Sequence, residues 1–245
     1  MTEYALIGYP LIHSFSMRYF TEKFESQGIR ARYLNMEMES VDGLIDIVEA
    51  HPLLKGLNVT IPHKQAVMPL LHSISDEALA IGAVNCIKIG REPLTLMGHN
   101  TDVIGFERSI KPLLKPHHQK ALVLGTGGAS KAVVYGLKRL GVIPVLVSRT
   151  PTDGMLGYDE LTREVMTEHT VIVNCTPLGT FPNVDTCPDI PYKYIGGNHL
   201  LYDLVYNPDK TLFLQRGEDR GAIVKNGLEM LHLQAEAGWE IWTQS

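Results

Sequence analysis

Among the residues whose chemistry could matter, Lys64 has the most unusual setting. It follows an apolar, β-branched run, Leu57 to Ile61, and then Pro62, where the pattern predicts the start of a helix. The positive end of a helix dipole favours anions, so an amine is electrostatically misplaced there. Such a lysine can donate a proton to a reacting oxygen if a neighbouring carboxylate orients it. The alternative interpretation is an ordinary solvated surface lysine.

Further polar side chains stand at other predicted element ends. Asn58 and Thr60 lie near the same strand end as Lys64, and Asn85 is a polar residue in the apolar strand Ala83 to Ile87. Asp102 opens a predicted helix, where a carboxylate is a good N-cap. Capping is the structural interpretation of Asp102, and a role in chemistry is the other.

Two hydroxyls, Ser14 and Ser16, are separated by one residue just before a predicted helix, Met17 to Gln27. Hydroxyls at this position can cap the helix. They can equally bind an anion at the helix's positive end. The residues alone leave both interpretations open.

A glycine-rich turn joins a buried strand, Ala121 to Leu124, to a helix that Gly141 closes. Such a turn lets backbone N–H groups at a helix start approach a pyrophosphate. Ser130 holds the place of the third glycine in the dinucleotide-binding pattern, so a tight turn without a ligand is the alternative. The cofactor-binding candidates in this turn are Gly125, Gly127, Gly128 and Ala129.

The end of the second strand of this unit favours NADP over NAD. Cofactors with a free ribose 2′-hydroxyl usually meet an Asp or Glu about 20 residues past the turn. Here Ser148, Arg149 and Thr150 occupy that place, without a carboxylate. A guanidinium offers paired donors to a 2′-phosphate, whereas an acid would repel it. An ordinary exposed arginine is the alternative.

The loop after a later buried strand, Val171 to Asn174, is polar and contains proline. Doubly wound folds bind ligands in loops at the carboxyl ends of parallel strands. The candidate cofactor site therefore includes Thr176 in this loop and Gly227 before the last predicted helix, Leu228 to Trp242. Gln234 lies beside the apolar stripe of that helix, either as a core polar residue or as a ligand contact.

The composition is that of an ordinary globular protein. The chain has 245 residues, 44% of them hydrophobic and 20% charged, with a net charge of −5. We therefore expect no nucleic-acid partner and, because no apolar run approaches the roughly 20 residues of a membrane helix, no membrane. The start of the chain lacks the pattern of a secretory signal. Three widely spaced cysteines predict a cytoplasmic protein without a metal site or disulfide framework.

Strands alternate with helices along the chain, a pattern that predicts the α/β class with a parallel sheet. The polar, proline-marked segment 115–119 is a candidate crossing between two lobes.

Taken together, nine segments resemble those of the shikimate dehydrogenase family, in the family's order. They are GYPLIHSFS, GLNVTIPHK, IGAVNC, GHNTDVIGF, VLGTGGASKAV, SRT, VNCTPLG, DLVYNP and NGLEMLHLQA. The resemblance implies a two-lobed protein: an N-terminal α/β substrate domain, residues 1–100 completed by the C-terminal helix 226–245, and a Rossmann-like NADP-binding domain, residues 101–225.

The resemblance also implies an activity and its residues. The family reduces 3-dehydroshikimate to shikimate with NADPH in aromatic amino-acid biosynthesis. By this resemblance Lys64 and Asp102 are the catalytic pair. The small-molecule substrate would be held at its carboxylate by Ser14, Ser16 and Tyr206, and at its hydroxyls by Thr60, Asn85, Asp102 and Gln234. We expect no metal, and a monomer or homodimer.

Two residues depart from the family's pattern. The family often has a second basic residue about four positions after the arginine of the second strand end, where this chain has Asp153. This departure favours an alternative, a quinate/shikimate dehydrogenase that also uses NAD. His63 replaces an aromatic residue common before the lysine. A third interpretation is a catalytically silent dinucleotide or metabolite sensor, which has no need for Lys64 and Asp102.

Overall fold

Two six-stranded sheets, each in its own unit, organise the protein. The computed structural model describes residues 1–11 and 15–244. One unit comprises Met1–Thr101 with Ala235–Ser245, and the other comprises Asp102–Gln234. No helix in the part of the chain that the structure describes is long and apolar enough to cross a membrane.

The first unit has a mixed sheet in the order β2-β1-β3-β5-β6-β4. Its strands are β1 (Thr2–Gly8), β2 (Ala31–Glu37), β3 (Leu54–Val59), β4 (Ser73–Ile74), β5 (Cys86–Arg91) and β6 (Leu94–His99). Its helices are α1 (Phe15–Ser26), α2 (Leu44–Ala50) and α3 (Asp76–Ile81). Strands β1, β2 and β3 are parallel, so their carboxyl ends share one edge of the sheet.

Each face of this sheet packs against its own hydrophobic cluster. One cluster contains Leu44 and Val48 of α2 together with the strand residues Leu57 and Ile87. The other contains Phe20 and Phe24 of α1 with Tyr4, Tyr33 and Trp242. Burial of these large side chains fixes which residues of each strand face the helices.

The second unit has a fully parallel sheet in the order β12-β11-β10-β7-β8-β9. Its strands are β7 (Lys120–Leu124), β8 (Ile143–Ser148), β9 (Leu156–Gly157), β10 (Val171–Asn174), β11 (Leu200–Asp203) and β12 (Ile223–Lys225). Its helices are α4 (Asp102–Ile110), α5 (Gly128–Arg139), α6 (Arg163–Glu168) and α7 (Leu212–Glu218). The last helix, α8 (Leu228–Thr243), begins in this unit and ends in the first.

The strands β7, β10 and β11 of the second sheet are buried on both faces, as their continuous apolar runs predict, whereas β8 is mostly half-buried. Separate hydrophobic clusters cover the two sides, one with Val123 and Val173 and the other with Leu122 and Ile172. The strand order reverses its direction at β7, which is the Rossmann-like arrangement. The α/β class and the two-lobed, Rossmann-like architecture are confirmed.

The segment around Lys64 differs from its prediction. Residues 61–67 form a series of turns rather than the start of a helix, followed by a 3₁₀ helix, Met68–Leu70. The Lys64 carbonyl accepts a hydrogen bond from the Val84 N–H at 2.7 Å, so the segment just before β5 satisfies it instead of a helical turn. The segment 115–119 also differs, because it lies within the second unit rather than between the two.

Candidate active site

Lys64 is fixed by its backbone to the segment that carries Asn85. Its carbonyl is bonded to Val84, and the Asn85 N–H donates to the His99 carbonyl at 3.1 Å. The Asn85 Oδ1 accepts from the Thr101 N–H at 2.6 Å. Asp102 is the next residue and begins α4. Val84 and Asn85 therefore join the Lys64 turn to the segment 99–101 within the first unit.

The turn of Lys64 is also held from its other side. The buried His63 ring hydrogen-bonds through Nε2 to the Met38 carbonyl at 2.6 Å. The Thr60 N–H donates to the Ile7 carbonyl at 2.9 Å, which fixes Thr60 beside the end of β1. The histidine that departs from the family's aromatic residue is thus an anchor of the lysine turn.

Ser16 is linked to Asn85 through two buried side chains, those of Tyr33 and Asn58. The Tyr33 hydroxyl donates to Asn58 Oδ1 at 2.6 Å. Burial raises the pKa of Tyr33 well above its ordinary value, and a hydrogen bond with Ser16 opposes part of that rise. The Asn58 amide donates to the Asn85 carbonyl at 3.5 Å. Ser16 and Asn85 therefore belong to one series of hydrogen-bonded polar groups within the first unit.

In the second unit, Asp102 and Gln234 lie on helices that pack closely. Both side chains are buried, at 7% exposure. Gly105, one helical turn after Asp102, is so near α8 that a Cβ would lie 2.5 Å from the Met230 carbonyl and 3.0 Å from the Gln234 Cβ. The Gln234 amide donates to the Leu231 carbonyl at 3.0 Å.

The glycine-rich turn has the conformation that an anion site requires. Gly125 has φ +102°, which a residue with a side chain rarely adopts. Gly127 is the N-cap of α5 and contributes no side-chain cap, and the first turn of the helix has no acidic residue. Backbone N–H groups at the positive end of a 12-residue helix are therefore available to a pyrophosphate. The turn fits a dinucleotide.

Arg149 follows the end of β8 and borders a cavity of about 450 Å³. Arg149 and Thr150 are exposed, and the Thr150 N–H donates to the Ser148 hydroxyl at 3.2 Å. Burial raises the pKa of Tyr158, and the neighbouring Arg149 charge opposes part of that rise. The cavity is lined by Arg149, Pro151, Gly157, Tyr158, Asp159 and Asp189.

Thr176 is fixed at the carboxyl end of the adjacent strand, β10. Its N–H and hydroxyl both donate to Asn174 Oδ1, at 3.0 and 2.7 Å. The Cys175 N–H donates to the Leu124 carbonyl at 2.9 Å, directly before Gly125. The glycine turn and the Thr176 loop therefore lie side by side on one edge of the sheet.

Tyr206 and Gly227 are joined through Val205. The Gly227 N–H donates to the Val205 carbonyl at 3.2 Å, and a Cβ at Gly227 would lie only 2.2 Å from the Leu204 carbonyl. Glycine is required there because the two backbones approach so closely. The Tyr206 side chain is 38% exposed.

Ser14 lies outside the described residues. Each of the other predicted residues lies at a strand end, in a loop or turn that follows a strand, or in the first or middle turns of a helix. Five supporting residues lie outside the predicted set of site residues: Tyr33, Asn58, His63, Asn174 and Asp203. For Asn58, Asn174 and Asp203 a signal existed, since each is a polar residue that interrupts or ends an apolar strand. Tyr33 gave no comparable signal, and His63 stood out only as a departure from the family's pattern.

Comparison with known proteins finds relatives along nearly the whole chain. A family model described as the shikimate dehydrogenase substrate binding domain matches residues 6–87. A protein of Clostridium beijerinckii named shikimate dehydrogenase (NADP(+)) is 37% identical, over 100% of this chain and 93% of its own.

Two solved structures extend this likeness. Shikimate 5-dehydrogenase of Thermus thermophilus, in complex with NADP(H) and shikimate, has a TM-score of 0.87 and 30% identity, covering 99% of this chain and 94% of its own. Shikimate 5-dehydrogenase of Listeria monocytogenes, in complex with shikimate and NAD, has a TM-score of 0.85 and 26% identity, covering 100% and 92%.

Proposed function

The chain belongs to the shikimate dehydrogenase family, and from this premise we propose that it catalyses the reversible reduction of 3-dehydroshikimate to shikimate. It is an oxidoreductase that uses NADP, the cofactor named for its relatives. We place the reaction in aromatic amino-acid biosynthesis, as for the family. The single observation that supports this function best is a pair of hydrogen bonds at one short segment. Val84 donates to the Lys64 carbonyl, and the next residue, Asn85, accepts from Thr101, the residue before Asp102.

The second unit offers a fitting set of groups for the cofactor. The N–H groups of Gly128 and Ala129, at the start of α5, would hold the pyrophosphate, because the helix dipole favours negative charge there. The Arg149 guanidinium, with Ser148 and Thr150, would hold the 2′-phosphate. Thr176 and Gly227 would border the remainder of the cofactor.

When bound, NADPH supplies the hydride that reduces the substrate carbonyl. The oxygen of that carbonyl gains negative charge and needs a proton within hydrogen-bond reach. We assign the donation of this proton to the Lys64 ammonium. The Asp102 carboxylate would orient the lysine and the substrate hydroxyl, and in the reverse direction Lys64 would accept the proton.

The substrate is a polyol with a carboxylate, and its recognition requires fixed hydrogen-bonding groups. Hydroxyls of Ser14, Ser16 and Tyr206 would hold the carboxylate. The amide of Asn85 is held in one orientation by Thr101, since its Nδ2 donates to the Thr101 hydroxyl at 3.0 Å. A preoriented amide rejects analogues that lack the matching hydroxyl, because a buried polar group would then lose its partner. Thr60, Asp102 and Gln234 complete the proposed set.

The test is the absorbance of reduced nicotinamide when shikimate is mixed with NADP, and then with NAD. NADP reduction with shikimate would support the proposal. Absence of reduction with either cofactor, in protein with a normal thermal transition, would contradict it and favour a catalytically silent sensor.

A second candidate is a quinate/shikimate dehydrogenase that also accepts NAD. Asp153 favours it, because this exposed carboxylate lies shortly after Arg149 and weakens the attraction for a 2′-phosphate. The same assay with quinate separates the two candidates. Efficient quinate oxidation with NAD would displace the first.

We also propose a cytoplasmic location, which the three free cysteines favour. The oligomeric state, monomer or homodimer, stays a prediction for light scattering to decide.

A further inference from the structure

A buried carboxylate, Asp203, lies at the end of β11 and has no exposure to solvent. Its Oδ1 accepts from the Asn174 amide at 2.9 Å and from the Val205 N–H at 3.0 Å. Its Oδ2 accepts from the Thr211 hydroxyl at 2.6 Å. All three donors are neutral, so the fold bears the cost of a buried acid without an ion pair among these contacts.

The first of these bonds reaches the loop of Thr176. The Asn174 side chain donates to Asp203 through Nδ2 and accepts from Thr176 through Oδ1. An amide has one donating and one accepting end, so the bond to Asp203 fixes which end faces Thr176. The orientation of Thr176 therefore depends on Asp203 through a single intermediate side chain.

The second bond reaches the segment of Tyr206. Asp203 accepts from the N–H of Val205, the residue before Tyr206, in a tight local turn. The Val205 carbonyl in turn accepts from the Gly227 N–H. Three residues of the proposed site, Thr176, Tyr206 and Gly227, are thus linked to one carboxylate within the second unit.

The third bond holds the carboxylate itself. Thr211 is the N-cap of α7, and its hydroxyl also accepts from the Leu214 N–H at 3.4 Å. The hydroxyl can donate to Asp203 while accepting from the helix, because it has one proton and two lone pairs. The start of α7 therefore fixes the rotamer of Asp203.

We propose that Asp203 is a positioning residue that fixes the Thr176 loop and the Tyr206 segment together, so that one buried carboxylate sets the affinity for both dinucleotide and substrate. This inference rests on the proposed function, which assigns Thr176 to the cofactor and Tyr206 to the substrate. Asp203 itself does not touch either ligand in this assignment.

The test compares Asp203→Ala, Asp203→Asn and the wild-type chain. Two quantities are measured for each: the Kd for NADP by isothermal titration calorimetry and the KM for shikimate. We expect Asp203→Ala to raise both the Kd and the KM by about 10- to 100-fold, the usual effect of leaving buried hydrogen-bonding groups without a partner. We expect Asp203→Asn to keep most of the wild-type affinity for NADP and shikimate. Its Oδ1 still accepts from Asn174 and Val205, and its amide donates to the Thr211 hydroxyl, which can accept.

Ser109→Ala is the matched control for a purely structural effect. The Ser109 hydroxyl makes a buried 2.5 Å hydrogen bond to Tyr202, the residue before Asp203 on the same strand. We expect this variant to lower Tm and leave both the Kd and the KM unchanged.

The inference is overturned if Asp203→Ala is folded, lowers Tm and still binds NADP and shikimate as the wild type does. It is also overturned if only one of the two ligands is affected, since the carboxylate would then not link the two segments. Failure of the wild type to oxidise shikimate would instead contradict the proposed function, and the calorimetric Kd would still test the link to Thr176.

Discussion

At the scale of single residues, Lys64 is the most direct test of the proposed chemistry. Its amine would move the proton at the reacting oxygen, and general acid–base help contributes roughly 10²- to 10⁴-fold to a rate. We predict that Lys64→Ala lowers kcat by that factor, while the KM for NADP changes little. Lys55→Ala, at an exposed position of the same unit, is the control and should keep the wild-type rate. An unchanged kcat in Lys64→Ala would remove Lys64 from the mechanism.

Arg149 tests the choice of cofactor at the same scale. Arg149 is the residue directly after β8. A hydrogen bond between charged groups changes a binding constant by about 10- to 100-fold. We predict that Arg149→Gln raises the KM for NADP by that factor and leaves the KM for NAD nearly unchanged.

Arg220→Gln removes an exposed arginine of the same unit near the amino end of β12, and serves as the control for net charge. Equal losses with NADP and NAD in Arg149→Gln would show that Arg149 does not discriminate the 2′-phosphate.

At the scale of elements, the end of α8 closes one side of the first sheet. The Trp242 indole is 5% exposed, stacks on Tyr4 at 4.9 Å between ring centroids and donates to the Ile87 carbonyl at 3.0 Å. Gly56 on β3 accommodates it, since a Cβ there would lie 2.4 Å from the ring. We predict that Trp242→Ala lowers the free energy of unfolding by about 3–5 kcal/mol, as large-to-small changes in a core do.

Leu79→Ala is the control for that prediction, measured by the same denaturant titration. Leu79 lies on α3 in the same unit and is 54% exposed, so its truncation should cost within about 0.5 kcal/mol. Equal effects of the two variants would mean that α8 does not stabilise the first unit through Trp242.

Most elements could be predicted from sequence because their burial patterns are strong. The continuous apolar runs of β7, β10 and β11 have few alternatives to a buried parallel sheet. The turns at residues 61–67 could not be predicted, because the hydrogen bond from Val84 to the Lys64 carbonyl joins residues distant in the chain. For the same reason the supporting role of Tyr33 required the structure: its partners Ser16 and Asn58 come from α1 and β3.

At the scale of the whole molecule, the chain folds one unit from a continuous segment and the other from both of its ends. The second unit is the continuous one, Asp102–Gln234, and the first requires Ala235–Ser245 to complete it. Global unfolding therefore includes the second unit, and with it the cost of burying the Asp203 carboxylate. That cost makes the stability of the whole protein depend on pH, in a direction that the pKa of Asp203 decides.

Burial raises the pKa of Asp203 from 3.8 to about 6, against the lowering effect of hydrogen bonds from Thr211, Val205 and Asn174. Between these two pKa values the folded chain holds a proton that the unfolded chain has lost, so stability from this group is full below about pH 3.8 and is lost as the pH rises through 6. The loss amounts to about 3 kcal/mol at neutral pH. Cys175 nearby stays neutral in this range, because burial raises the pKa of its thiol.

We predict that the stability difference between wild type and Asp203→Asn, measured by urea unfolding, shifts against the wild type as the pH rises from about 4.5 to about 7. The variant lacks only the titrating carboxylate, so the contributions of the other acids and histidines cancel in the difference. Glu3 is one of these acids. Burial acts to raise its pKa, but Arg32 and His51 lower it overall. The stability that Glu3 contributes is therefore lost as the pH falls, opposite to that of Asp203. A difference that stays constant over this range would mean that Asp203 titrates alike in the folded and unfolded chain, and that burial does not disfavour its ionised form.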